Sequence, residues 1–592
     1  MKRIVLFICF TVGLTVSLSV SAANSYHVKT NGTANGNGSI DGPWNLQTAL
    51  NHPSRVNAGD TIWIHEGVYT GVFISKLSGT QNAPIIVRAV PDEEVIIDGN
   101  VNSTKSYVLS LEGQYTWIWG LTILNTNGNR INSPEFPIDN KDGVAFLGAN
   151  NKLINCIIRD NGGGGVGLWQ SAINSEIYGC IIYHNGYIGN ERGHGHGVYI
   201  QNETGTKLVT DNIIFNSFGI GIHAYSENGQ IKGYNIDGNI LFNCGLPGAD
   251  FLERHILVGG YQPADRVKIS NNYLYNRPLY SSKAMIQLGY DVSNKNISLT
   301  DNYMVNGSFY VDKPWESMTF TNNSVMSTSS DMALIAFKSF ANIQNPELDY
   351  NTYHNGKFYN NYNNGTLSNY NFNGWQSFSG QDSNSSYNSK TPSSTFYYFK
   401  ENRYEKGKTN LVIYNWEKSE NVDIDVSDLL SIDDEYELWD VQNLSRGPVK
   451  TGKYDGSFSV PMNLKTIDLP YGNIPNTNKY YHTAPAFGVF IIKKVTSDVV
   501  SNIVSQKNDF SFVLYPNPAA NEIYADIIIP FSGMVEIGVY DISGRIVKSE
   551  KIEVNAGKNK YSCNLEALET GLYLFVVSSK EAGQYSKIFR KK

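Results

Sequence analysis

The feature that most constrains this chain is a short strand bounded by two asparagines that keeps returning. Asn212-Ile-Ile-Phe-Asn216, Asn239-Ile-Leu-Phe-Asn243, Asn272-Tyr-Leu-Tyr-Asn276 and Asn302-Tyr-Met-Val-Asn306 align on one another at steps of 27, 33 and 30 residues. Cys180 and Cys156 take the place of the first asparagine upstream, and Asn323 and Asn351 take it downstream. Glycine-punctuated apolar strands, such as Gly143-Val-Ala-Phe146, Gly165-Val-Gly-Leu168 and Gly197-Val-Tyr-Ile200, fall between the repeats. A motif recurring every 20–50 residues or so marks a solenoid, in which no single repeat can bury its own apolar face. The repeat is strand–turn–strand–turn with no helical period, so it predicts a parallel β-helix. Its asparagine column reads as an interior hydrogen-bonding ladder, because buried amides need partners and stacked amides supply them. Cys156 and Cys180 then read as buried free thiols in the same stack.

At 592 residues the chain is too long for one compact core. Only 17% of residues are charged, whereas Tyr (38) and Gly (54) are abundant. Such a surface suits neutral hydrogen bonding and ring stacking, as sugars require. With a net charge of −7 there is no basic footprint for nucleic acid. Lys2 and Arg3 precede an apolar run from Ile4 to Val20 and the small residues Ser21 and Ala22, the pattern of a secretory signal peptide over 1–22. No later stretch is long and apolar enough to suggest a transmembrane segment. The expected location is therefore secreted or at the cell surface.

Within 23–375, the expected β-helix, Ala58-Gly-Asp-Thr-Ile-Trp-Ile-His-Glu-Gly-Val-Tyr69 alternates like a half-buried strand, followed by Ala83-Pro-Ile-Ile and Val95-Ile-Ile-Asp-Gly99. This opening resembles a widespread family of secreted bacterial right-handed β-helix proteins, and the resemblance implies the right hand. Asn351–Ser394, rich in Asn, Ser, Gly and Tyr, reads as a loop-like closure or linker, with the linker itself over 376–394. Strands without the rung motif over 395–495 suggest a small β-sandwich, and 496–509 a polar linker. The last segment, 510–592, carries Leu514-Tyr-Pro-Asn-Pro518, Val539-Tyr-Asp-Ile-Ser-Gly-Arg545 and Gly571-Leu-Tyr573. It resembles the C-terminal sorting domain of type IX secretion substrates of Bacteroidota, a β-sandwich, which implies the type IX machinery as a partner. The fold expected overall is all-β: a right-handed parallel β-helix, a small β-sandwich and a sorting domain.

Aligning Glu203-Thr-Gly205 with Glu227-Asn-Gly229 sets the register of two rungs. Tyr199 then lies on His223 and Gln201 on Tyr225, pointing outward on one face. Trp169 and Gln287 come from neighbouring rungs, while His194 and His196 sit in the turn entering the strand. Tyr199, His223, His196, His194, Glu203 and Glu227 are thus candidate catalytic residues. Trp169, Gln201, Tyr225 and Gln287 are candidate substrate contacts, the aromatic ones by stacking. A Tyr–His pair, with histidine as base, could drive β-elimination at a uronate. Alternatively His194, His196 and His223 could bind zinc, and the turn carboxylates Asp211, Asp237 and Asp301 calcium, although no specific motif selects either metal.

Polygalacturonases carry Asn-Thr-Asp, Asp-Asp, Gly-His-Gly and Arg-x-Lys. Here Gly193-His-Gly195 and Arg266-Val-Lys268 occur, but Asp433-Asp434 lies outside the rungs. The β-helical alginate lyases and chondroitinases use Arg-His-Gly, whereas Arg254-His255 is followed by Ile256. The expectation is therefore a secreted polysaccharide-active protein, a lyase or glycoside hydrolase. The alternative is a non-catalytic glycan-binding or adhesion protein, and a hydrolase built on Glu203 and Glu227 is a further reading.

Overall fold

The computed structural model describes residues 23–592 apart from 134–136, 249–253, 279–283, 362–366, 475–479, 496–510, 516–518, 530, 542–544 and 580–582. The expected signal peptide, the linker after 495 and parts of two sorting-domain motifs lie outside the described residues. The described chain divides into two compact units, ending and beginning at Val495 and Thr496.

In the first unit the repeats wind into three twelve-stranded sheets, and successive coils give each sheet one strand. The first sheet runs from Ser25–Val28 to Pro346–Asp349, the second from Gly67–Thr70 to Ser386–Asn388, and the third from Phe73–Ser75 to Leu367–Tyr370. Pairing is parallel from coil to coil, as in Ile213 beside Ile240 and Tyr273 beside Tyr303. The two asparagines of the motif do different work. The first is buried at the turn between the first and second sheets. There Asn212 donates from its amide nitrogen to Asn239 Oδ1 (2.9 Å), Asn239 to Asn272 (3.0 Å), Asn272 to Asn302 (2.9 Å) and Asn302 to Asn323 (2.9 Å). Cys180 joins the upstream end through its backbone N–H to Asn212 Oδ1, and Cys156 and Cys180 are buried free thiols. The second asparagine takes a left-handed backbone in three of the four repeats, with φ of 49° at Asn216, 52° at Asn243 and 64° at Asn306, which its short side chain tolerates.

Both ends of the coil are capped. Upstream, the helix Leu46–Leu50 buries Leu46, Ala49 and Leu50. Downstream, Phe372–Ser379 forms a helix whose Trp375 stacks on Phe337 at 5.6 Å and closes the interior. Parallel pairing continues past residue 375, because Ser386–Asn388 pairs with Thr352–His354. The capping helix straddles the expected boundary at 375, and the coil runs on into the segment read as a linker. The polar composition of 351–394 masked Phe372, Trp375 and Phe378, three aromatics on one helical face.

Residues 396–495 form a five-stranded antiparallel sheet with a smaller strand pair, Asn421–Asp423 and Ser459–Pro461. One face packs on that pair through Leu411, Leu438, Phe490 and Val460. The other packs on the outside of the second sheet of the coil through Val412, Tyr414, Phe487 and Val489, against Phe215, Phe242, Tyr275 and Tyr303. This explains why the repeated strand is apolar at successive positions. In Ile213-Ile-Phe215 the middle residue faces the interior while Ile213 and Phe215 face this lobe, so both faces are dry.

The second unit is a two-layer β-sandwich of three and four strands. Its core includes Phe512, Ile523, Ile527, Val535, Val539, Phe575 and Phe589. Among the described residues no helix is long and apolar enough to cross a membrane.

Candidate functional site

The site lies on the outer face of the third sheet, where the register follows the sequence alignment. Tyr199 pairs with His223, Val198 with Ile222 and Ile200 with Ala224. Gly167 precedes Tyr199 in the column, and Leu257 and then Gln287 follow His223. Outward alternation places the aromatic side chains in a connected row. Tyr107 meets Trp169 at 6.4 Å between ring centres, and Trp169 meets Tyr199 at 5.5 Å. Tyr199 meets His223 edge-on at 5.7 Å, and His223 stacks on Tyr225 at 4.7 Å. The row ends in Tyr261 and Tyr290, 48% and 45% exposed, both in edge contact with Tyr225.

Gly167 serves this row in an unexpected way. A Cβ there would stand 3.0 Å from Trp169 Nε1, so the indole lies over the glycine and leaves no depression at Gly167. The open depression is displaced to the far side of Trp169. It is about 640 Å3 in volume and lined by Gln170, Gln201 and Glu203 among others. Gln170 donates to Glu203 (2.9 Å).

The histidines divide. His196 Nε2 and His223 Nδ1 are 3.0 Å apart, and the backbone N–H of Ile220 donates to His196 Nδ1 at 3.0 Å. A backbone N–H can only donate, so neutral His196 carries its proton on Nε2 and passes it toward His223 Nδ1. His223 is left with its own proton on Nε2, a donor rather than a base. Burial first, and neighbouring charge second, keep both rings neutral: His196 is pushed down to about 3 and His223 lies well below the usual value. The charges acting on His223 include Arg192 and Arg254. The Tyr199 hydroxyl accepts from Gln201 Nε2 at 3.2 Å, which frees its proton to point elsewhere. Burial raises its pKa, with Glu227 adding to the effect, and pushes Tyr225 up to about 12.

His194 does not join the pair. It stacks on Tyr187 at 4.8 Å and meets Glu191 at 3.1 Å on a small hairpin. The three-histidine cluster is therefore not assembled, since both nitrogens of His196 are already engaged. Among the described residues no group of three His, Cys, Asp or Glu is placed to hold a metal ion. At the turn carboxylates, Asp211 bonds Lys400 at 2.7 Å, and Asp237 accepts from Ser270 and Asn271. Gln287 is buried rather than presented to a ligand: it accepts from Arg254 Nε and donates to Gly289 O.

Two groups escaped the sequence reading. Lys207 is fully buried and donates to the carbonyls of Leu168, Trp169 and Gln201, pinning together the two rungs that carry Trp169 and Gln201. Burial pushes it down to about 7. In the short strand Lys207-Leu-Val-Thr210 the inward residues are Lys207 and Val209, too few for the sequence to mark the lysine as buried. Asp142 begins its strand beside Tyr107 in the third sheet and accepts from Gly164 N–H. Burial outweighs that bond and raises it to about 6.

Residues 26–166 match the family model "Pel9A-like, right handed beta helix region", and residues 513–591 match "Secretion system C-terminal sorting domain". The chain is a right-handed parallel β-helix protein with a sorting domain. That domain addresses this β-helix protein to type IX secretion, and so outside the cell or to its surface. Pectate lyase PEL9 of Emericella nidulans is 40% identical over 84 residues, a stretch covering 14% of this chain and 20% of that relative. Among solved structures, pectate lyase Pel9A is 14% identical with a TM-score of 0.37, covering 59% of this chain and 80% of its own. A rhamnogalacturonan lyase is 13% identical with a TM-score of 0.34, covering 59% and 79%. The match to the β-helix family model ends at residue 166, before Tyr199 and His223.

Proposed function

We propose that this β-helix protein is a secreted polysaccharide lyase that cleaves uronate-containing glycan by β-elimination on its third sheet. The observation that carries the reading is the continuous aromatic row from Tyr107 to Tyr290, interrupted by the neutral His196–His223 pair. A row running across coils about 4.8 Å apart matches an extended chain of stacked rings rather than a compact ligand. Tyr199 O–H and His223 Nε2–H are the proton donors, one serving the leaving oxygen. The Glu227 carboxylate, whose charge reaches both Tyr199 and Tyr225, takes the proton α to the uronate carboxylate. The cations Arg192 and Arg254, both felt at His223, favour an anionic sugar there. Trp169, Tyr225, Tyr261 and Tyr290 stack on the flanking sugars. The similarity of one stretch to a pectate lyase is consistent with this class of substrate.

The test is a panel of pectic, alginate and neutral polysaccharides, followed by ultraviolet absorbance of unsaturated uronate and by product mass. A lyase raises that absorbance. Reducing ends without it assign the site to a hydrolase built on Glu203 and Glu227, and retention of polymer with neither product assigns it to a binder.

A further inference from the structure

A second cavity lies outside the second sheet of the coil, on a different face from the aromatic row of the third sheet. Where the lobe 396–495 meets the second sheet, most of the seam is dry, with Phe487 stacked on Tyr275 at 4.3 Å and Phe396 on Tyr303 at 4.4 Å. At the upstream coils the two layers part and leave a cavity of about 790 Å3. That is the size of small-molecule clefts, about 300–1,000 Å3, which favour such seams.

Its walls are held in place from both sides. Arg130, fully buried, donates to the carbonyls of Asn161 and Gly186 on the coil and, at 3.1 Å, to Tyr471 O on the lobe. Gly472 packs so closely on Gly128 that a Cβ would stand 2.2 Å from its carbonyl oxygen. On the other wall Trp119 Nε1 donates to Glu405 at 2.8 Å, and Asn402 and Asn155 exchange hydrogen bonds. The cavity therefore exists without a ligand to shape it.

The lining selects the chemistry. Trp439, Leu444 and Ile491 supply an apolar wall. Each cation in the lining already has a carboxylate: Arg159 has Asp160 at 2.6 Å, Lys408 has Glu405 at 2.9 Å and Lys493 has Asp92 at 3.4 Å. At the back His184 is 1% exposed, and its Nδ1 lacks a hydrogen-bond partner among the described residues. An anion finds no cation in this lining without a carboxylate partner, whereas hydroxyl groups find the Asp468 carboxylate and other polar groups beside an apolar wall. We propose that this cavity binds the end of an uncharged saccharide chain, separately from the third-sheet groove.

Calorimetric titration of the full chain with cellobiose and galactobiose tests this. Saturable binding is expected, weakened at least tenfold by Trp439→Leu and by Asp468→Ala in variants with unchanged thermal unfolding, and unaffected by His223→Ala. Asp468→Ala, which removes a carboxylate bonded to Ser445 at the rim, carries the test alone if Trp439→Leu does not fold. No binding of either disaccharide, or binding lost in His223→Ala and kept in Trp439→Leu, overturns the proposal. So does tenfold tighter binding of digalacturonate at this cavity.

Discussion

At the scale of single residues, the proposed elimination turns on where three protons sit. Ile220 N–H fixes the tautomer of His196, His196 fixes that of His223, and Gln201 leaves the Tyr199 hydroxyl free to donate. His223→Ala and Tyr199→Phe should each lower kcat by roughly 10²–10⁴, the range for an acid–base group, with little change in KM. Because burial holds the imidazole pair neutral, the acid limb of kcat/KM should fall well below pH 6.5, not at it. A limb near 6.5 that vanishes in His223→Ala would contradict the relay. The facing of Tyr199 and His223 was legible in the sequence, because strand alternation and a shared turn fix register. The proton position on His223 was not, since it depends on His196 of the preceding coil and on the Ile220 N–H that fixes the tautomer of His196. Asp142 and Lys207 were hidden for a related reason: each becomes distinctive only once burial shifts its protonation.

At the scale of elements, the asparagine ladder and the covered second sheet carry the coil. Asn239→Ala removes the acceptor of two Asn212 donors and leaves them buried, so a loss of at least about 2 kcal/mol is expected in urea unfolding. An unchanged midpoint and slope would show that the ladder is dispensable. Phe487 stacks on Tyr275 at 4.3 Å and meets Phe242 at 5.4 Å. Phe487→Ala should cost about 3–5 kcal/mol and expose the seam to proteolysis before the coil itself. Equal protection of lobe and coil in hydrogen exchange of that variant would refute this. The ladder was readable because the spacing of Asn212, Asn239, Asn272 and Asn302 tracks the coil. The seam was written in the same strands, as consecutive apolar residues such as Tyr273-Leu-Tyr275. Those residues identify a strand buried on both faces but not the distant segment that buries it.

At the scale of the whole molecule, the coil of the first unit is a frame that presents an aromatic row on one face and closes another with a lobe. It also stores an acid sensitivity. His184 and His255 are pushed down to about 4 and His196 to about 3 by burial, with His223 also well below its ordinary value. Between pH 6.5 and about 4 the unfolded chain binds protons that these folded sites refuse, so stability falls as pH falls. Each histidine contributes a slope of up to roughly 1.4 kcal/mol per pH unit. Urea unfolding of the first unit between pH 7 and 5 should show this decline, and a flat profile would contradict the neutral state of the four rings, of which His184 and His255 are fully buried. The export address in the second unit sends the protein outside the cell or to its surface, where the proposed glycan substrate would be met. The central claim is that this row holds the glycan. A crystal structure of His223→Ala soaked with oligogalacturonate tests it most directly. Sugar rings lying along Trp169, Tyr199, Tyr225 and Tyr290, with a carboxylate toward Arg192 or Arg254, are the predicted result. Oligosaccharide bound elsewhere on the coil, with the third-sheet row bare, would contradict it.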